Sequence, residues 1–127
     1  MLKAKDVMTK DVISVKKETS ILEAAELSIK HNISGMPVVD DDMGVEGILT
    51  EKDILLIYYE KKEELEKKTV ADFMTHPAIS FDENLFLIDV CDFLAKNIFR
   101  RVPITSEGKL AGIISIKDVI SSVLSSR

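Results

Sequence analysis

Two short segments place a hydroxyl and a carboxylate at the same spacing: Thr50-x-x-Asp53 and Ser115-x-x-Asp118. Each comes just after an apolar run, Gly47-Ile48-Leu49 or Gly112-Ile113-Ile114, and just before apolar residues at helical spacing. A hydroxyl followed three residues later by a carboxylate is a helix N-cap of the capping-box kind, worth about 0.5–2 kcal/mol. The same geometry has a second use. A carboxylate in the first turn of a helix beside a cleft can accept two hydrogen bonds from a ribose cis-diol, each worth roughly 1.5–3 kcal/mol. The hydroxyl can support a sugar or a phosphate, and the helix N-terminus favours an anion. The two uses are compatible.

The two segments differ in the charge nearby. Arg100-Arg101 precedes Val102-Pro103, whereas Ser34-Gly35 precedes Met36-Pro37. Guanidinium groups offer planar, bidentate donors to phosphate oxygens, and Ser and Gly do not. A cluster of Arg100, Arg101, Ser115 and Asp118 is therefore expected to be the better phosphate site. The alternative is a pair of surface arginines matched to the chain's own carboxylates. Other chemistry finds little support. His31 and His76 are far apart and lack Cys or carboxylate partners at ligand spacing, so no metal site is expected. There is no nucleophile–base set and no Gly-rich phosphate loop of the Walker type, so no catalytic residues and no enzyme activity are expected. Cys91 is the only cysteine, and it is expected on a buried helical face as a small core residue.

The elements that must position these residues come twice. Asp6-Val7-Met8-Thr9 is echoed by Asp72-Phe73-Met74-Thr75, Ile13-Ser14 by Ile79-Ser80, and Pro37 by Pro103, all at one offset. Each copy reads β-α-β-β-α. The first has a strand over 12–15 and a helix opening at the capping sequence Ser20-Ile21-Leu22-Glu23 and ending near His31-Asn32. Strands over 36–39 and 45–49 flank a hairpin loop at 40–44, and a helix runs from about Glu51. The second has a strand over 78–81, a helix over 85–96 with Ile88, Cys91, Asp92 and Ala95 on one side, strands over 102–105 and 110–114, and a helix from about Ile116. The charged run 60–68 is expected to be a solvated extension of the first closing helix, with Glu63–Lys67 and Glu64–Lys68 in favourable order. The repeat divides the chain into 1–68 and 69–127. The fold class is α/β (α+β), and the two copies fit one compact pseudo-symmetric domain.

At 127 residues and 46% hydrophobic, the chain has enough for one folded module. Acidic residues outnumber basic ones by 22 to 17, for a net charge of -5. That balance argues against nucleic acid or anionic membrane as partner. The start of the chain runs into no sustained apolar stretch, so no leader is expected, and no apolar run reaches the roughly 20 residues of a membrane span. A cytoplasmic location is the default expectation.

These residues resemble a tandem pair of CBS domains, the modules named after cystathionine beta-synthase. The resemblance covers nearly the whole chain. Val7-Met8-Thr9 and Phe73-Met74-Thr75 carry it, with Ser34 to Asp40, Arg100 to Ile104, and the two Gly-x-x-Thr/Ser-x-x-Asp segments at Gly47–Asp53 and Gly112–Asp118. It implies two units related by pseudo-twofold symmetry and packed through their sheets, with two clefts left between them. There one or both clefts take AMP, ADP, ATP, S-adenosylmethionine or a related adenosyl ligand. It implies a ligand- or energy-sensing regulatory module acting on a separate protein partner, commonly as a homodimer. The alternative is a structural interaction module with vestigial clefts. The base would lie against Val12, Ile13, Met36 and Pro37 in one copy and Ala78, Ile79, Val102 and Pro103 in the other. Thr9 and Thr75 would stand at the cleft edges, followed by Lys10 and His76. The cleft without arginines would take a neutral adenosyl group, another uncharged ligand, or nothing. Ile57, Tyr58, Tyr59, Val119, Val123 and Leu124 look like more apolar helix surface than one small core needs, the basis for expecting the homodimer.

Overall fold

The structure is a computed structural model that describes residues 1–126, without the side chains of Glu60, Lys61, Lys62 and Glu64. Residues 13–78 form one compact unit, and residues 1–12 join the residues from Ile79 onward in the other. The packing boundary thus differs from the repeat boundary in sequence. The lead-in segment of each copy packs with the other copy's hairpin.

In the unit formed by residues 13–78, helix α2 (Ile21–His31) starts where the capping sequence places it. The Ser20 hydroxyl accepts from the Glu23 N–H at 3.1 Å, and Asn32 ends the helix in the left-handed conformation (φ 51°), which Asn tolerates. Strands β1 (Gly35–Val39) and β2 (Val45–Thr50) form an antiparallel hairpin. The loop between them is held by Asp40, whose carboxylate accepts from the N–H groups of Asp42 and Gly44. Helix α3 (Glu51–Lys61) follows directly, then a tighter 3-10 turn at Lys62–Lys67. The charged run therefore leaves α-helical geometry, and Glu63 and Lys67 lose the i,i+4 spacing of an α-helix. The Glu64–Lys68 pairing lies outside the described side chains. Ile21, Ala24, Met36, Val38, Leu49, Ile57 and Val70 make the core.

The other unit opens with the short helix α1 (Ala4–Val7). Strand β3 (Phe81–Asp82) is parallel to β4 (Arg101–Ser106), which is antiparallel to β5 (Lys109–Ser115). Helix α4 (Leu87–Lys96) lies between β3 and β4 in sequence, and α5 (Ile116–Ser125) follows β5. Ala4, Val90, Leu94, Val102, Ile104 and Ile114 form its core.

Two differences from the sequence reading share one cause. The expected strand over 12–15 is reduced to a single parallel bridge, Val15 to Val38, and the strand over 78–81 begins only at Phe81. Val15 donates to the Pro37 carbonyl at 3.1 Å and accepts from Val39 at 2.9 Å. The next rung back needs an N–H from Pro37, which has none, so the ladder stops; Pro103 stands at the matching place in the other unit. A third difference is rotational. Helix α4 buries Leu87, Val90 and Leu94, while Ile88, Asp92 and Ala95 are exposed and Cys91 is half-buried. This helix carries apolar residues nearly all round, so periodicity leaves two stripes to choose between. The lead-in segment chooses: the Leu87 N–H donates to the Leu2 carbonyl at 2.8 Å, and Ala4 packs beside Val90 and Leu94.

Candidate functional site

Each unit presents one strand-to-helix junction. In residues 13–78, Thr50 donates its N–H to the Asp53 carboxylate at 2.9 Å, and Asp53 donates its own to the Thr50 hydroxyl at 3.2 Å. In the other unit, Ser115 and Asp118 repeat both bonds at 2.8 and 3.1 Å. Both pairs are thus reciprocal caps, and all four residues are half-buried. Within each cap the carboxylate accepts through one oxygen, Oδ2. The first helical N–H is also satisfied, by the residue just before the hairpin's first strand. Glu51 donates to the Ser34 carbonyl at 2.8 Å and Ile116 to the Arg100 carbonyl at 3.0 Å.

Arg101 stands directly across the β4–β5 ladder from Ser115, as Gly35 stands across from Thr50. The Ser115–Asp118 junction is therefore flanked by two guanidinium-bearing residues, Arg100 exposed and Arg101 half-buried. The other junction has Ser34 and Gly35 there, as the repeat alignment implies.

The lead-in segments supply a further wall. Thr9 pairs with Ile113 by two backbone bonds of 2.9 Å, and Thr75 pairs with Ile48 by bonds of 2.9 and 3.0 Å. Thr9 therefore belongs with Ser115 and Asp118, and Thr75 belongs with Thr50 and Asp53. The threonine of one copy accompanies the carboxylate of the other, a crossing that the repeat alone does not show. Its signal was present as Gly47 and Gly112. A Cβ at Gly112 would lie 2.9 Å from the Thr9 carbonyl and 2.6 Å from the Met8 sulfur, and a Cβ at Gly47 would lie 2.8 Å from the Thr75 carbonyl. Glycine there lets a neighbouring backbone come close.

The candidate apolar residues divide the same way. Val12, Ile79, Val102 and Pro103 lie in the unit of Asp118; Ile13, Met36, Pro37 and Ala78 lie in that of Asp53. Met36, Pro37, Val102 and Pro103 are fully buried. Val12, Ile13 and Ala78 are half-buried, and Ile79 is exposed. Lys10 and His76 are exposed. Burial pushes the Cys91 thiol up from its ordinary value, which disfavours a reactive thiolate. Among the described residues no group of three or more His, Cys, Asp or Glu side chains is placed to hold a metal ion. No described helix is long and apolar enough to cross a membrane.

The CBS domain model matches residues 4–60 and again 70–125. The chain belongs to the CBS domain family. It is a tandem CBS pair, with a mixed helix and strand fold built on two small sheets. Among its relatives, uncharacterized protein MJ1225 of Methanocaldococcus jannaschii is 34% identical over 116 residues. That match covers 91% of this chain and 41% of MJ1225, so the CBS pair spans less than half of that relative. Among solved structures, CBSX2 in complex with AMP superposes with a TM-score of 0.90 at 28% identity, covering 99% of this chain and 98% of that one. The CBS domain pair of protein MJ0100, in complex with 5′-methylthioadenosine and S-adenosyl-L-methionine, superposes with a TM-score of 0.86 at 28% identity, covering 100% and 99%.

Proposed function

We propose that this CBS pair is a non-catalytic regulatory module that binds an adenine nucleotide or another adenosyl ligand and passes that occupancy to a partner protein. The observation that carries this reading is the Ser115–Asp118 junction. It has a carboxylate held by its cap, a hydroxyl in the same turn, Arg101 on the adjoining strand and Arg100 just before it. Two pairs of nearly identical fold and length bind AMP and S-adenosyl-L-methionine, which share a ribose and an adenine. The arginines favour a phosphate-bearing ligand, and the AMP, ADP and ATP class comes first on that ground. A shift in the partner requires that the ligand bind two states of the module unequally.

Isothermal titration calorimetry with AMP, ATP and S-adenosylmethionine tests it. Micromolar binding, about -8 kcal/mol, is expected for a phosphate-bearing ligand. Asp118→Ala should weaken it by roughly tenfold or more, as befits hydrogen bonds to a charged carboxylate. Folded wild-type protein that binds none of the three would instead support a structural interaction module. The arginine-free junction, with Ser34 and Gly35, is the feature that favours that second reading.

The same proposal includes a homodimer. Ile57 belongs to the core, at 2% exposure, and Val119 packs on the core. But α5 has no buried residue, and Val123 and Leu124 are 60% and 58% exposed. On α2 and α3, Leu22, Ala25, Ile29, Leu55 and Tyr58 line an apolar groove. Apolar helix faces of this kind favour burial against a second copy. Sedimentation velocity at micromolar concentration should give a dimer for wild type and monomer for Val123→Asp. A wild-type monomer at that concentration would refute the dimer.

A further inference from the structure

The two junctions are alike in their caps and unlike in one bond. The Thr9 hydroxyl donates to Asp118 Oδ1 at 3.3 Å. Among the described residues Thr75 makes no such bond to Asp53. Asp118 is therefore gripped on both oxygens: the Ser115 N–H holds Oδ2 at 2.8 Å, and Thr9 holds Oδ1. Asp53 is held on Oδ2 alone. A carboxylate fixed at one oxygen can still rotate about its Cβ–Cγ bond, a torsion with a broad, two-fold profile. A second donor on the other oxygen removes that freedom. Each carboxylate oxygen has two lone pairs, so the two donors leave one acceptor site on each oxygen. That is the pair of acceptors a cis-diol needs.

Thr9 is itself well placed to act this way. Its backbone is clamped to Ile113 by two hydrogen bonds of 2.9 Å, one residue from the glycine that lets it approach. The hydroxyl is therefore carried by a backbone segment bridged to β5.

We infer that Thr9 is a positioning residue, which orients the Asp118 carboxylate for a ribose cis-diol and makes this junction the more ribose-selective of the two. The inference rests on the adenosyl-binding reading above and deepens it. Ordering the carboxylate before the ligand arrives removes part of the cost of binding.

The test compares AMP with 2′,3′-dideoxy-AMP, which keeps base and phosphate and lacks both hydroxyls that Asp118 would accept from. Calorimetry is run on wild type, Thr9→Val and Thr9→Ser, with Asp118→Ala identifying the binding event that belongs to this junction. Wild type should prefer AMP by roughly tenfold or more. Thr9→Val should narrow that preference by roughly threefold to tenfold, through weaker AMP binding with little change for the dideoxy analogue. Thr9→Ser, which restores the hydroxyl, should restore the preference. A Thr9→Val protein that loses affinity for both ligands equally would overturn the inference, because a loosened lead-in segment acts without regard to the diol. An unchanged preference would overturn it too, while leaving the binding reading intact. Absence of AMP binding in wild type would remove both.

Discussion

Ile104→Ala is expected to cost about 2–5 kcal/mol of folding stability, the largest effect of any single change considered for this chain. Ile104 is fully buried on the central strand β4, opposite Phe81 on one side and Gly112 on the other. It packs in one cluster with Ala4, Leu87, Val90, Leu94 and Ile114. Those neighbours come from helix α4, strand β5 and the lead-in helix α1, so no single one can move to fill the space. The loss is then the transfer term of the missing carbons plus the cavity term. In a urea titration the midpoint should fall by more than about 1 M while the slope stays unchanged. Ile98 is the contrast, at 92% exposure, and Ile98→Ala should change stability by less than about 0.5 kcal/mol. Equal shifts for the two substitutions would contradict the packing described for β4.

How much of this was legible beforehand depended on how local the cause was. Ser20 and Glu23, Thr50 and Asp53, and Ser115 and Asp118 are three residues apart, and each bond they make is settled within one turn. Both hairpins were legible for the same reason, from strand composition and a short polar loop. The length of the first strand in each copy was not. It depends on whether a proline in a later strand has an N–H to give, which composition over 12–15 or 78–81 does not contain. The buried face of α4 depends on Leu2 and Ala4, more than eighty residues away. The crossing of Thr9 and Thr75 between copies is the most distant fact of all. Alignment places Thr9 beside Asp53 and Thr75 beside Asp118 in sequence, and the backbone bridges to Ile113 and Ile48 reverse the pairing. The caps at the candidate site were readable from spacing, whereas the residue beside each carboxylate was not.

Gly112→Val should destabilise the protein by about 3 kcal/mol, although local preference argues the opposite sign. Glycine inside a strand costs roughly 0.5–1 kcal/mol relative to alanine, and valine is among the best strand formers. By that reasoning the substitution gains about 1 kcal/mol. The surroundings decide otherwise. A Cβ at Gly112 would stand 2.6 and 2.8 Å from the Sδ and Cγ of Met8 and 2.9 Å from the Thr9 carbonyl oxygen. The Met8 side chain can swing away. The carbonyl cannot, because it is the acceptor for the Ile113 N–H at 2.9 Å. The segment must lift off β5, giving up that bond and its reciprocal, so the cost falls at the upper end of the overpacking range. Gly35→Ala is the matched control: its Cβ meets nothing nearer than 3.4 Å, so it should stay within about 1 kcal/mol of wild type. Thermal unfolding followed by circular dichroism reads both. The displaced segment also carries Thr9 away from Asp118, so Gly112→Val, studied while still folded at low temperature, should lose preference for AMP over its dideoxy analogue. A variant as stable as wild type would show that the segment yields without cost. A destabilised variant that kept full diol preference would separate the docking of the lead-in from the orientation of Asp118.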